Sequence, residues 1–130
     1  MIRIVGVDPG LVTGLTSFTI DEDEVSCIDH YQIDHLGVGQ YFEVRPNDWG
    51  KPDVIVAMES FIITPGTTKK TQAPWSLETI GIVRYFVEKA GGQLRMSAPS
   101  AHKKLISDDV LKRAGLYFPG EGHATDAARV

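Results

Sequence analysis

Residues 2–14 read Ile-Arg-Ile-Val-Gly-Val-Asp-Pro-Gly-Leu-Val-Thr-Gly, and the fold turns on how they are interpreted. Ile2, Ile4, Val5 and Val7 form an apolar run that ends at Asp8, with Pro9 and Gly10 directly behind it and Gly14 four residues further on. A short apolar run closed by turn residues reads as a buried strand. A carboxylate carried by such a strand into a tight glycine turn is held rigidly at a sheet edge.

Other segments supply partners for it. Val54-Ile55-Val56-Ala57-Met58 reads as a second buried strand and ends in Glu59. Near the C-terminus stands His123-Ala124-Thr125-Asp126, whose two polar side chains lie one helical turn apart. Three acids and a histidine from three distant segments are thus expected to meet. Such a donor set suits hard divalent cations, Mg2+ or Mn2+, with imidazole better tolerated by Mn2+.

With 130 residues the chain is expected to be one domain that buries a core without disulfides or structural metal. Cys27 is its single cysteine, which rules out an intramolecular disulfide and fits a reducing compartment. Arg3 and Asp8 interrupt the N-terminal run, leaving it too short for a signal peptide or a membrane span. A soluble, cytosolic protein is expected. The net charge of -4 does not by itself favour nucleic acid, but the distribution is uneven. Acidic residues dominate the first fifty positions. Lys69-Lys70, Arg84, Lys89, Arg95, Lys103-Lys104 and Lys112-Arg113 put any basic face in the second half.

Residues 14–20 and 25–33 are predicted as two further strands joined by the acidic turn Asp21-Glu22-Asp23-Glu24. Residues 36–48 are ambiguous, although Val38, Tyr41, Phe42 and Val44 fit a short helix ended by Pro46. Thr64 to Pro74 is a polar loop long enough to serve function. Pro74 suits the first turn of a helix whose Leu77, Ile80, Val83, Val87 and Ala90 make one apolar stripe, stopped by Gly91-Gly92. Leu94 and Met96 mark a fifth strand. Pro99 opens a polar, basic segment predicted to hold two short helices, and Gly120-Glu121-Gly122 leads into the last one. The pattern predicts an α/β domain, a mixed five-stranded sheet flanked by helices.

These motifs, in this order, resemble the RuvC family of Holliday junction resolvases, especially its short bacteriophage members. The resemblance rests on Ile-Val-Gly-Val-Asp8-Pro-Gly-x-x-x-Gly14, Ala-Met-Glu59-Ser-Phe61, a helix with mid-helix Gly81, Pro99-Ser-x-x-Lys103-Lys104 and His123-x-x-Asp126-Ala-Ala. It implies a ribonuclease H-like fold, a homodimer and an endonuclease that cuts four-way DNA junctions in pairs with Mg2+ or Mn2+, two ions per site. Asp8, Glu59 and Asp126 match the metal-binding acids, and His123 matches a fourth position that is Asp in some relatives and His in others. The glycine-rich basic stretch of the cellular resolvases is replaced here by Ser107-Asp-Asp-Val-Leu-Lys-Arg-Ala-Gly. Cut-site preference, and strict preference for four-way junctions, are left open by that departure.

In the implied chemistry two cations about 3.5–4 Å apart activate water and neutralise the phosphate. Asp8 would bridge them, Glu59 and Asp126 would hold them, and His123 would ligate or orient the second. The expected products carry a 5′-phosphate and a 3′-hydroxyl. Lys69, Lys70, Lys103 and Lys104, with His102, are candidate phosphate contacts, and Phe61 is a candidate to press on unstacked bases.

Plainer readings compete with each assignment. Asp8 alone reads as a turn residue, His123 as a helix N-terminal residue, the lysine pairs as solvated surface and Phe61 as core. An actin-like ATPase or sugar kinase needs two such domains around its nucleotide, more than 130 residues provide. A broader flap or fork nuclease and a catalytically weak junction-binding protein both stay open. If the helix carrying Asp126 starts near Ala124, it has barely two turns before Val130 and is marginal unless tightly packed. Either the domain over 1–130 lacks the end of its C-terminal helix or the protein is unusually compact.

Overall fold

The computed structural model describes residues 1–60, 73–97 and 106–130. Its five strands are β1 (Ile2–Asp8), β2 (Val12–Asp21), β3 (Glu24–Asp34), β4 (Val54–Glu59) and β5 (Gln93–Ser97). They form one sheet in the order β3-β2-β1-β4-β5. β1 pairs antiparallel with β2 and parallel with β4, and β5 adds parallel to β4, so the sheet is mixed as expected. β1 is central, which is why its run is apolar on both faces.

The helices are α1 (Val38–Glu43), α2 (Ala73–Lys89), α3 (Asp108–Ala114) and α4 (Gly122–Ala127). Side chains alternate across the sheet. Val5, Val7, Val54, Val56 and Met58 point to one face, where they pack with Val38, Tyr41 and Phe42 of α1 and with Val83 and Val87 of α2. Trp49 closes this core, fully buried, with its Nε1–H donating to the Phe42 carbonyl at 2.9 Å. Burying each such side chain contributes about 1.5–3 kcal/mol. On the opposite face Phe18, Leu111, Leu116, Phe118 and Ala124 form a smaller core beneath α3 and α4.

Several sequence expectations need adjustment. β2 and β3 are longer than predicted because their register runs unbroken from Val12↔Asp34 to Asp21↔Glu24 except at one bulge beside Ser17 and Phe18. Leu77 is 41% exposed and does not belong to the buried stripe of α2. Ser76 and Thr79 take the inward positions instead, and Thr79 Oγ1 lies 3.3 Å from Thr13 Oγ1, so the buried hydroxyls satisfy each other. The ambiguous stretch does form the short helix α1 ahead of Pro46. Of the two helices expected after Pro99, α3 is present; residues 98–105 lie outside the described ones. Among the described residues no helix is long and apolar enough to cross a membrane.

Candidate active site

Asp8 and Glu59 end neighbouring parallel strands. Val7 pairs with Met58, so the next residue on each strand is the acid. Val7 and Met58 point into the main core, and alternation therefore sends Asp8 and Glu59 to the opposite face, the one that carries α4. The turn behind Asp8 is closed by Thr13 Oγ1, which donates to the Gly10 carbonyl at 3.2 Å.

α4 is a helix of six residues, far too short to be stable alone. The sheet holds it by close approach. A Cβ on Gly14 would sit 1.9 Å from the His123 carbonyl oxygen, and one on Gly6 would sit 1.9 Å from that of Ala127. Ala124 and Ala127, both buried, fill the remaining space. Thr16 Oγ1 donates to the Ala124 carbonyl at 2.6 Å. The first turn leaves backbone N–H groups without helical partners, and the Glu121 side chain does not cap them. Gln32 on β3 takes that role, its Oε1 accepting from the His123 N–H at 2.8 Å. Thr125 Oγ1 accepts from the Phe118 N–H at 3.1 Å and so ties the preceding turn to the helix. His30 stacks on Phe118 with 3.8 Å between ring centroids, and its Nδ1 lies 3.3 Å from Glu121 Oε1. These contacts start α4 at Gly122, two residues before the expected position, and supply the tight packing that its length demands.

Since Asp8 stands opposite Gly14 in the ladder, the residue seated on Gly14 reaches the acid. His123 Nδ1 lies 3.0 Å from Asp8 Oδ2. Burial pushes the Asp8 carboxyl up to about 6, with the hydrogen bond and charge of His123 opposing the rise and the negative charges of Asp126 and Glu59 adding to it. Both other acids are therefore near enough to be felt at Asp8. Asp126 Oδ1 accepts from Arg129 Nη1 at 2.9 Å, and the same guanidinium reaches Asp108 through Nη2. Among the described residues no three histidine, cysteine or carboxylate side chains close around a single point as an ion cage. The donors still fit a hard divalent ion in kind: three carboxylates and one imidazole at one end of the sheet, one acid resisting ionisation where it stands.

Asp8, Glu59, His123 and Asp126 are all placed at this end of the sheet. Phe61, Lys69, Lys70, His102, Lys103 and Lys104 lie outside the described residues. Sequence reasoning missed four contributors. Gly6 and the second role of Gly14 carry a signal only in hindsight, as glycines inside strand patterns that mark a close backbone approach. Gln32 is 91 residues from its partner and has no local signal. Arg129, three residues after Asp126 and just past the end of α4, is legible as an i,i+3 pair at a helix C-terminus.

No protein-family profile matches the chain, and no curated protein sequence does. Among solved structures, RuvC of T. thermophilus in complex with a Holliday junction substrate superposes with a TM-score of 0.71 at 16% identity, over 99% of this chain and 90% of that one. Two structures of the Aquifex aeolicus Ppx/GppA enzyme give TM-scores of 0.47 and 0.46 at 11% and 10% identity. They cover 85% and 84% of this chain but only 42% and 39% of theirs. The fold is RuvC-like, of the ribonuclease H-like type, with the mixed five-stranded sheet expected from the sequence.

Proposed function

We propose that this chain is a metal-dependent endonuclease that resolves four-way DNA junctions by paired phosphodiester hydrolysis. The observation that carries this is the convergence of Asp8, Glu59 and the His123–Asp126 turn at one end of a RuvC-like sheet. Burial, with the charges of Asp126 and Glu59 adding to it, makes Asp8 resist ionisation, and perturbed carboxyls of this kind cluster at functional sites.

Asp8, Glu59 and Asp126 would hold Mg2+ or Mn2+, two ions in all, and His123 would ligate or orient the second. When bound, the ions supply an activated water and neutralise charge on the phosphate. The protein's part is to fix the donors. Strand pairing holds Asp8 and Glu59 in register, and the glycine seat holds α4 so that its carboxylate and imidazole face the same edge. His123 steadies Asp8 through Nδ1. Lys69, Lys70, Lys103 and Lys104, with His102, would grip phosphates, and Phe61 would press on opened bases. Four lysines acting this way make binding fall steeply with salt. Affinity that barely changes with salt refutes that grip.

Cutting both strands symmetrically calls for two centres, hence a homodimer. The outer side of α2 supports this: Leu77 and Tyr85 are exposed, and the space above Gly81 between them is open, leaving room for a second helix. Light scattering giving a dimer mass checks it, and a monomer at working concentrations counts against it.

The test of the reaction is cleavage of a labelled four-way junction beside fork, flap and linear duplex, with Mg2+ or Mn2+, by the native chain and Asp8→Asn. Paired symmetric nicks confined to the junction and absent in the variant support a resolvase. Equal cutting of forks and flaps would broaden the activity to branched DNA in general. Binding without cutting would leave a junction-binding protein.

A further inference from the structure

We infer that Arg129 is a positioning residue that sets the cation affinity of the acid cluster, by holding Asp126 in competition with an incoming divalent ion; this rests on the metal-dependent reading above. The Arg129 side chain is only 13% exposed, although it follows a short surface helix. It bridges two carboxylates from different elements, Asp126 of α4 and Asp108 in the first turn of α3. Its Nε–H is buried with no hydrogen-bond partner among the described residues. A surface tether would turn that donor to water, so this guanidinium is fixed by the two acids and the packing around it.

The consequence is electrostatic. An ion that takes Asp126 has to share the carboxylate with a permanent positive charge in partly dehydrated surroundings, where repulsion is weakly screened. Asp108 offsets part of that charge, which keeps the cluster attractive to cations. Removing the guanidinium takes away one hold on Asp126, at the cost of fixing one short side chain more fully when the ion binds. Removing a full positive charge beside a divalent ion outweighs this. Gly6, Gly14 and Thr16 seat α4 without help from Arg129, so the helix stays in place when it is replaced.

The experiment is calorimetric titration of the full chain with Mn2+ alone, for wild type, Asp8→Asn, Arg129→Gln, Arg129→Lys and Asp108→Asn. Melting of each in chelator confirms that it is folded. Arg129→Gln is expected to bind Mn2+ about tenfold more tightly, Arg129→Lys to stay within about twofold of wild type, and Asp108→Asn to bind several-fold more weakly. A merely structural arginine gives the opposite pattern, weaker binding in both Arg129 variants. If Arg129→Gln binds no more tightly than wild type while Asp8→Asn loses binding, the inference fails and the nuclease reading stands. If Arg129→Gln does not fold, an Asp108→Asn affinity equal to or above wild type overturns the inference by itself. If wild type binds no Mn2+, or Asp8→Asn binds as well as wild type, the metal reading of the site falls and the inference falls with it.

Discussion

On one face of the sheet Val5, Val7, Val56 and Met58 meet α1 and α2 through side chains; on the other, Gly6 and Gly14 meet α4 through bare backbone. The first contact is made of many interchangeable hydrocarbon groups, so a change of one methyl group is absorbed at modest cost. The second has nothing to give. The atoms nearest an added Cβ at Gly14 are the His123 carbonyl and the Ala124 nitrogen, all backbone. A core of ordinary periodicity therefore supports the fold, while a pair of strand glycines sets where His123 and Asp126 of α4 stand.

Gly14→Ala sharpens this contrast most. The added methyl has to lift α4 off the sheet, with an expected loss of about 3 kcal/mol or more and separation of His123 from Asp8. Denaturant unfolding together with junction cleavage measures both. An alanine variant of wild-type stability and activity would show that the seat is looser than described.

A smaller effect, of opposite sign, is expected at the acid. Between about pH 4 and 6 Asp8 is ionised in the unfolded chain but still protonated in the folded one. The folded state binds more protons, so without metal stability falls as pH rises through that window and stays lower above it. Asp8→Asn removes this penalty and is expected to stabilise the metal-free protein at pH 7 by at most about 3 kcal/mol, less any loss of the His123 contact. Unfolding curves of both proteins from pH 4 to 8 check it. Parallel pH profiles would contradict the burial of this carboxyl.

The smallest change is on α2. Among the described residues nothing lies within 4 Å of a Cβ built at Gly81, so Gly81→Ala should stabilise the isolated chain by about 0.5–1 kcal/mol through helix propensity alone. Destabilisation that grows with protein concentration would instead place a second helix against that position.

How much of this was readable beforehand follows the same division. Strand periodicity in residues 2–8 and 54–58 gave β1 and β4, and with them the pairing of Asp8 and Glu59, because a parallel register needs only two apolar runs of similar length. The inward stripe of α2 departs from expectation at Leu77 because two hydroxyl residues, Ser76 and Thr79, are buried there, Thr79 against Thr13, a partner that no periodicity reveals. Around the site, His123 and Asp126 were legible from their spacing. Of the groups that hold them, Gln32 and Thr16 act across the fold on backbone atoms and leave no pattern in the chain, while Gly6 leaves only a glycine inside an apolar strand run.

The most direct measurement is single-turnover cleavage of a four-way junction in Mn2+ by the native chain, Asp8→Asn, Glu59→Gln and Asp126→Asn. With the three acids holding the ions as proposed, symmetric nicking by the native protein and a loss of about a thousandfold or more in each variant are expected. Cutting that persists in Asp126→Asn while the other two are inactive would contradict this, by removing α4 from the catalytic centre.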